Sequence, residues 1–321
     1  MRVSVVVPTR NRCKDLNRCL GALLKQTYRD FEIVVIDNGS TDQTPGLLQK
    51  YPAKVIRTET KNLAHVFNLG WKNASGDVIA FLNDDAEPLP NWLEKSVETF
   101  KFSAEAGIVG GPTIALSEQQ IYGTYKRFMK SKMLKPWLTI YNKVILDGKL
   151  LGIGVLCESG AFSIGGSLQY SARTKDIVDV DILTITNMAV KREVLEKLCG
   201  FDENFMYSSI DGDFFVRAKR ARYKLLFNPG AVVLHHVNPT GATRSPFYLG
   251  RDYAYFLLKD IRPKSFRGWL SMLLNIILFN AFWLYEMYKQ RRLSSLQGIR
   301  GFLCGVRDYL HMKRYLFYRA H

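Results

Sequence analysis

The sequence predicts an α/β fold, a mostly parallel sheet with helices on both faces, followed by a basic, apolar helical extension. Three observations predict it. Short β-branched, apolar runs alternate with helix-spaced segments through the first hundred residues, and each run stops at a polar or turn-forming cluster. From Lys264 onward, ten lysines and arginines stand against Glu286 and Asp308, half of the formal net charge of +16. Buried parallel strands read as continuous apolar runs, and their ligands bind beyond the strands' carboxyl ends.

Val3–Val7 is the first such run, ended by Pro8; residues 13–26 follow with Leu16, Leu20, Leu23 and Leu24 at helical spacing. Phe31–Ile36 is a second strand, closed by Asp37-Asn38-Gly39-Ser40, and residues 42–50 read as helix. Ala53–Arg57, a helix over 62–74, Asp77–Leu82, a helix over 90–102 and Gly107–Gly110 continue the rhythm. Residues 115–180 read as loops and a β-excursion lining an acceptor cleft, with an aromatic, basic piece (Tyr122–Met133) and a Gly-rich piece (152–167). The pattern returns at Val180–Val190, 191–199, 212–222 and Ala231–Leu234. Trp269–Tyr285 is a 17-residue apolar run interrupted by Ser271, Asn275 and Asn280. A bilayer span takes about 20 apolar residues, so the run is borderline. Leu293, Leu296, Ile299, Phe302, Leu303 and Val306 recur as on an amphipathic helix at an interface.

The chain has 321 residues and 47% hydrophobic residues, enough for a full core and against general disorder. Five cysteines without a C-x-x-C pair fit free thiols in a reducing compartment. Met1-Arg2 leads straight into Val3–Val7, too short for a signal-peptide core, so no cleavable signal is expected. The excess positive charge calls for an anionic partner. Because the basic residues sit among apolar helices, that partner reads as a membrane surface over residues 264–321, and not as nucleic acid.

Five polar clusters carry the chemistry. Asn83-Asp84-Asp85 follows an apolar strand; adjacent carboxylates repel unless a divalent cation lies between them and an anionic ligand, and hard oxygen donors select Mg²⁺ or Mn²⁺. Without such a cation the triplet is a solvated turn. Asp37 at a strand end can accept from a ribose hydroxyl or base N–H, or it can close an Asx-turn. Pro8-Thr9-Arg10-Asn11-Arg12 offers donors for a nucleotide, with neither G-x-G-x-x-G nor a P-loop lysine. Asp211-Gly212-Asp213, with Arg217 at i+4 from Asp213, is either a helix cap or a base kept ionised at a helix N-terminus. His235-His236 follows a strand and can complete a metal shell or touch phosphate.

Taken together, Val3–Arg12, Glu32–Asp42, Asn68–Asp85, Asn187–Phe205 and Asp211–Arg217 resemble the family 2 glycosyltransferases over roughly residues 1–240. The tail is similar to the rhamnosyltransferase-like branch, where a segment such as Gly250-Arg251-Asp252-Tyr253 precedes basic, apolar helices. The resemblance implies the GT-A fold, a Rossmann-like nucleotide-binding sheet. It implies a catalytic domain over 1–247, with a nucleotide-sugar half (1–112) and an acceptor half (113–247), and a membrane-associating tail over 248–321. Pro8, Thr9, Asn11, Arg12, Asp37, Asn68, Asn83, Asp84 and Arg251 fall to the nucleotide sugar. Asp85 and His235 fall to the metal, Asn187, Met188 and Asp213 to the acceptor side, and Asp211 to the general base. Two positions depart from the family pattern: Asn83 stands where D-x-D has its first Asp, and Ile210 stands where a Glu precedes the base.

The expected reaction is a metal-dependent, inverting transfer of a sugar from a nucleotide-sugar donor to a hydroxyl of a glycan or polyprenyl-linked glycan, on the cytoplasmic face of a membrane. A homo-oligomer is left open. Rival readings are a catalytically inactive nucleotide-sugar- or glycan-binding relative and a sugar-phosphate nucleotidyltransferase. The second needs a Gly-rich basic loop after the first strand, which Pro8–Arg12 lacks.

Overall fold

A computed structural model describes residues 1–115, 134–150, 152–163, 174–236 and 245–319. The chain opens with β1 (Val3–Thr9), α1 (Cys13–Leu23), β2 (Phe31–Asn38), α2 (Thr44–Leu48), β3 (Ala53–Thr58), α3 (Leu63–Lys72) and β4 (Val78–Leu82). There follow β5 (Ala86–Pro88), α4 (Trp92–Phe102), β6 (Ala106–Gly110) and β7 (Thr113–Ala115). The middle holds α5 (Leu134–Ile145), β8 (Val155–Leu156), β9 (Phe162–Ser163), β10 (Val178–Asp179), β11 (Asn187–Lys191) and α6 (Arg192–Lys197). Then come α7 (Ile210–Arg220), β12 (Lys224–Phe227), β13 (Val233–His235), α8 (Pro246–Asp260), α9 (Phe266–Gln290) and α10 (Gln297–Arg319).

Eight strands form one sheet in the order β10-β12-β6-β11-β4-β1-β2-β3. β1 pairs in parallel with β2 and β4, β2 with β3, and β12 with β6. This is the mostly parallel α/β fold the alternation predicts. Alternate residues of each strand feed opposite faces. Val6, Val34, Ile36, Ile79 and Phe81 pack under α3, α7 and α8, whereas Val5, Val7, Val35, Ala80 and Leu82 pack under α1 and α4.

One strand departs from the expected rhythm. Val180–Val190 reads as a long strand, but only Asn187–Lys191 pairs, and it runs antiparallel between β4 and β6, with Asn187 opposite Leu82. Reversal brings the residues before β11 to the carboxyl end of β4, where Thr186 bonds Asn83. Residues 116–133, 164–173 and 237–244 lie outside the described residues, and with them Tyr122–Met133 and the end of the Gly-rich piece; of the excursion expected over 115–180, the described part holds a helix the sequence reading did not expect, α5, and the short antiparallel pair β8–β9.

The tail is helical as expected, but it is not a loose appendage. α8 lies on α10 at close approach: a methyl at Gly250 would run into the Gly298 carbonyl, and one at Gly301 into that of Phe247. Small residues allow such backbone proximity. α9 is longer than the apolar run and is long and apolar enough to cross a membrane, with an 18-residue window of mean hydropathy 1.4 inside the 24 residues Phe266–Lys289. Its three polar interruptions are bonded: Ser271 Oγ to the Val144 carbonyl, Asn275 Nδ2 to the Ser159 carbonyl and Tyr253 hydroxyl, Asn280 Nδ2 to the Ile276 carbonyl. Met272, Asn275 and Trp283 are buried, Trp283 against Gly298 of α10, while Trp269, Leu270, Leu273, Ile277, Leu284 and Tyr285 are exposed.

Candidate functional site

The polar clusters at the ends of β1 and β4 meet because these two strands are paired neighbours in a parallel sheet. Between β1 and α1, Asn11 adopts a left-handed backbone (φ 53°). Its amide N–H donates to Ser40 Oγ at 2.9 Å, and its side-chain oxygen accepts from the Thr41 N–H at 2.7 Å. Asn11 therefore ties the loop after β1 to the loop after β2. The turn lets Arg12 reach both carboxylates of the acidic pair, with NH1 at 3.1 Å from Asp84 Oδ1 and 2.8 Å from Asp85 Oδ2. Thr9 Oγ1 donates to Asp84 Oδ2 at 2.8 Å. β13 pairs with β5, so His235 lies beside Ala86, with Nε2 at 3.0 Å from Asp85 Oδ1. His236 pairs instead with Glu87, at 2.9 Å.

Both acidic side chains are buried, each 6% exposed. Their protonation behaviour diverges because their partners differ. Burial pushes Asp84 up to about 6, with Arg12 opposing and the Asp85 charge adding. Burial acts on Asp85 as well, but His235 and Arg12 overcome it and hold that carboxyl well below the usual range. Asp85 is thus the more acidic of the pair, next to an imidazole.

Asp211 faces them across one cleft of about 580 Å³, whose walls include Pro8, Thr9, Arg12, Asn83, Asp84, Asp85, Asp211 and His235. It sits in the first turn of α7, after Ser209 in a left-handed conformation (φ 57°). Burial raises its pKa above the ordinary aspartate value, opposed by the N–H groups of Ile185 and Gly212. The Gly212 N–H donates to Asp211 Oδ1 at 3.0 Å and the Ile185 N–H approaches Oδ2 at 3.4 Å. A half-buried carboxylate of raised proton affinity, aimed into a cleft, suits a general base.

Other expected site residues lie elsewhere. Asp37 is 2% exposed, and its Oδ1 accepts from the Ser40 N–H at 2.9 Å, the Asx-turn alternative. Asn68 does not reach the cleft: it donates to the Phe201 carbonyl and Glu203, and accepts from Trp71 Nε1 and the Phe201 N–H. Asn187 and Met188, expected on the acceptor side, are not among the residues that line the cleft. Asn187 bonds Trp92 and the carbonyls of Pro112 and Ala231, and Met188 lies in the core. Asp213 is fully buried between Arg217 and Lys259. Arg251 bonds Asp308, Asp252 and the Asn204 carbonyl. Its neighbour Asp252 accepts from the N–H groups of Met206, Tyr207 and Ser208, so the Gly250–Tyr253 segment holds the loop that leads to Asp211.

The cleft also contains residues that the sequence reading did not single out individually. Arg10, Lys61, Thr186 and Tyr207 line it. Arg10 lies within the cluster after β1, whereas Lys61 and Tyr207 carry no local signal.

Comparison with known proteins follows the same lines. The family described as Glycosyl transferase family 2 matches residues 4–164, half of the chain. The chain is 32% identical over 117 residues to "Glycosyltransferase AglE" of Haloferax volcanii, covering 34% of this chain and 38% of that protein. It is 29% identical over 296 residues to a Methanococcus voltae protein named as a dolichyl N-acetyl-alpha-D-glucosaminyl phosphate 3-beta-D-2,3-diacetamido-2,3-dideoxy-beta-D-glucuronosyltransferase, covering 88% and 77%. Against several curated relatives the matched part spans well under half of their length. The fold is similar to that of the mannosyltransferase PcManGT from Pyrobaculum calidifontis in complex with GDP-Man and Mn²⁺, with TM-score 0.58 and 17% identity over 96% of this chain and 87% of that one. With its sheet, its strand-end cluster and this match in agreement, the chain belongs to glycosyl transferase family 2.

Proposed function

We propose that the protein is an inverting glycosyltransferase that moves a sugar from a nucleotide-sugar donor to a hydroxyl of a glycan or lipid-linked glycan. The observation that carries this reading is the placement of Asp85 and Asp211 on the walls of one cleft. Arg10 and Lys61 offer donors for the nucleotide and its phosphates, beside the walls formed by Pro8 and Thr9. The residue types at the acidic pair fit a divalent cation. Asp85 and His235 are one buried carboxylate and one imidazole, and Mg²⁺ or Mn²⁺ sites of this kind leave the remaining positions to substrate phosphates and water. Among the described residues no group of three or more His, Cys, Asp or Glu side chains converges, so the protein's share is small. Asp85 and His235 would hold the cation, which would supply charge neutralisation for the nucleoside diphosphate leaving group.

Asp211 accepts the proton of the acceptor hydroxyl as that oxygen attacks the anomeric carbon from the face opposite the leaving group, which inverts the configuration. The Gly212 and Ile185 N–H groups and the Asp252-bound loop fix where that carboxylate points. Residues 1–112 serve the donor and 113–247 the acceptor, with 248–321 resting on the cytoplasmic leaflet. We also place the chain in the rhamnosyltransferase-like branch, on the Gly250–Tyr253 segment and the helices after it. The test is nucleoside diphosphate release from a panel of nucleotide sugars with Mn²⁺, Mg²⁺ or EDTA, with lipid extract as acceptor. Release from one donor that stops in EDTA and in Asp85→Ala supports the reading, and a rhamnosyl donor supports the branch. EDTA-resistant turnover would remove the metal from the mechanism.

A further inference from the structure

A second cavity, of about 590 Å³, opens on the far side of Asp211. It shares Ser208, Ser209 and Asp211 with the polar cleft, but its walls are otherwise largely apolar: Leu156 and Phe215 from the catalytic domain, Phe256 from α8, and Phe279, Phe282 and Trp283 from α9. Phe282 is 49% exposed, so the cavity reaches the outer apolar face of α9. Lys264 and Arg267 stand at one end of that helix and Lys289, Arg291 and Arg292 at the other.

Two buried polar atoms on these walls have no hydrogen-bond partner among the described residues, Ser208 Oγ and Trp283 Nε1. Buried polar groups are otherwise almost always paired, and ligand cavities of this size combine apolar walls with a few placed polar groups. Walls dominated by Leu156, Phe215, Phe256, Phe279 and Phe282 offer the many hydroxyls of a soluble glycan few partners. A hydrocarbon chain packs on such walls, and the lining runs from Phe282 on α9 to Ser208 and Asp211.

We propose that this cavity binds the prenyl-type hydrocarbon chain of a lipid-linked acceptor, with Ser208 Oγ and Trp283 Nε1 bonding oxygens near the junction of chain and sugar. The proposal rests on the transferase reading and names the acceptor class for it. Its probe is geranylgeranyl phosphate carrying a photoreactive diazirine near the hydrocarbon end, irradiated with the full chain in liposomes and mapped by mass spectrometry. Label is expected in segments 156–163 and 279–283, displaced by unlabelled geranylgeranyl phosphate. Leu156→Trp, which fills the cavity, and Phe282→Asp, which puts a charge at its mouth, are each expected to lower that label about tenfold, the scale of one lost apolar contact set. Ser208→Ala and Trp283→Phe are expected to lower it severalfold.

Label confined to residues 269–278, or label unchanged in both Leu156→Trp and Phe282→Asp, would overturn the proposal. Nucleoside diphosphate binding with Mn²⁺, measured on the same preparations, shows that each variant is folded. Its loss in the unmutated chain would retire the transferase reading while leaving a labelled cavity. Intact nucleotide binding without cavity label retires only the lipid proposal.

Discussion

Asp211 takes its character from burial and from two backbone N–H groups, which pull its pKa in opposite directions, with burial winning. Because a base works only when deprotonated, the acidic limb of the pH profile of kcat/KM should lie above the ordinary aspartate pKa of about 4. Asn68 has the opposite fate. Its amide makes four bonds, three from α3 to the Gly200–Glu203 turn and one to Trp71 within α3. Asn68→Ala leaves the Trp71 and Phe201 groups unpaired and should destabilise the fold by about 2–3 kcal/mol in urea unfolding. Nucleotide affinity should be unchanged; a large loss of affinity with normal stability would return Asn68 to the donor site.

At the scale of elements, α8 is the hub. It carries Asp252, which holds the loop before Asp211, and it packs on α10 through Gly250 and Gly301. Gly301→Ala pushes a methyl into the Phe247 carbonyl and should cost about 1–3 kcal/mol, with reduced turnover because the Asp252 brace shifts. Normal turnover in a destabilised variant would separate the tail from the site. The end of α8 carries buried charge. Lys259 bonds Asp202 and Asp213, and the Asp260 oxygens lack a hydrogen bond among the described residues, with Arg220 NH1 3.5 Å from Oδ1. Burial, with the Asp213 charge adding, raises the Asp260 pKa. The folded chain therefore keeps a proton that an unfolded aspartate releases near pH 4, so this residue's contribution to stability falls as pH rises above that value. The difference in urea midpoint between Asp260→Asn and the unmutated chain should grow with pH across this range; a flat difference would mean that Asp260 is ionised throughout.

At the scale of the whole molecule, a catalytic body and a half-packed apolar helix share one surface. Replacing Leu273 and Ile277 with serine removes two exposed apolar side chains and should weaken flotation with anionic liposomes roughly tenfold or more, leaving nucleotide binding intact. Equal flotation would assign the outer face of α9 to something other than lipid. Much of this was legible in sequence. Apolar runs ending in PTRNR and NDD fix β1, β4 and the acidic pair, because buried parallel strands leave a strong local pattern. Polar residues were harder to sort. Asn187, Asp213 and Arg251 look chemical in sequence, but each satisfies a buried partner supplied by a distant element, and pairing of that kind has no local signature. The antiparallel turn of β11 and the inward bonding of Asn275 were hidden for the same reason.

The most direct test measures donor binding and transfer side by side in Asp211→Asn, using whichever nucleotide sugar the panel identifies and Mn²⁺. Binding near that of the unmutated chain, with transfer lowered ~10²–10⁴-fold, is the expected result for a general base. Lost donor binding, or transfer at the original rate, would contradict the assignment of the base to Asp211.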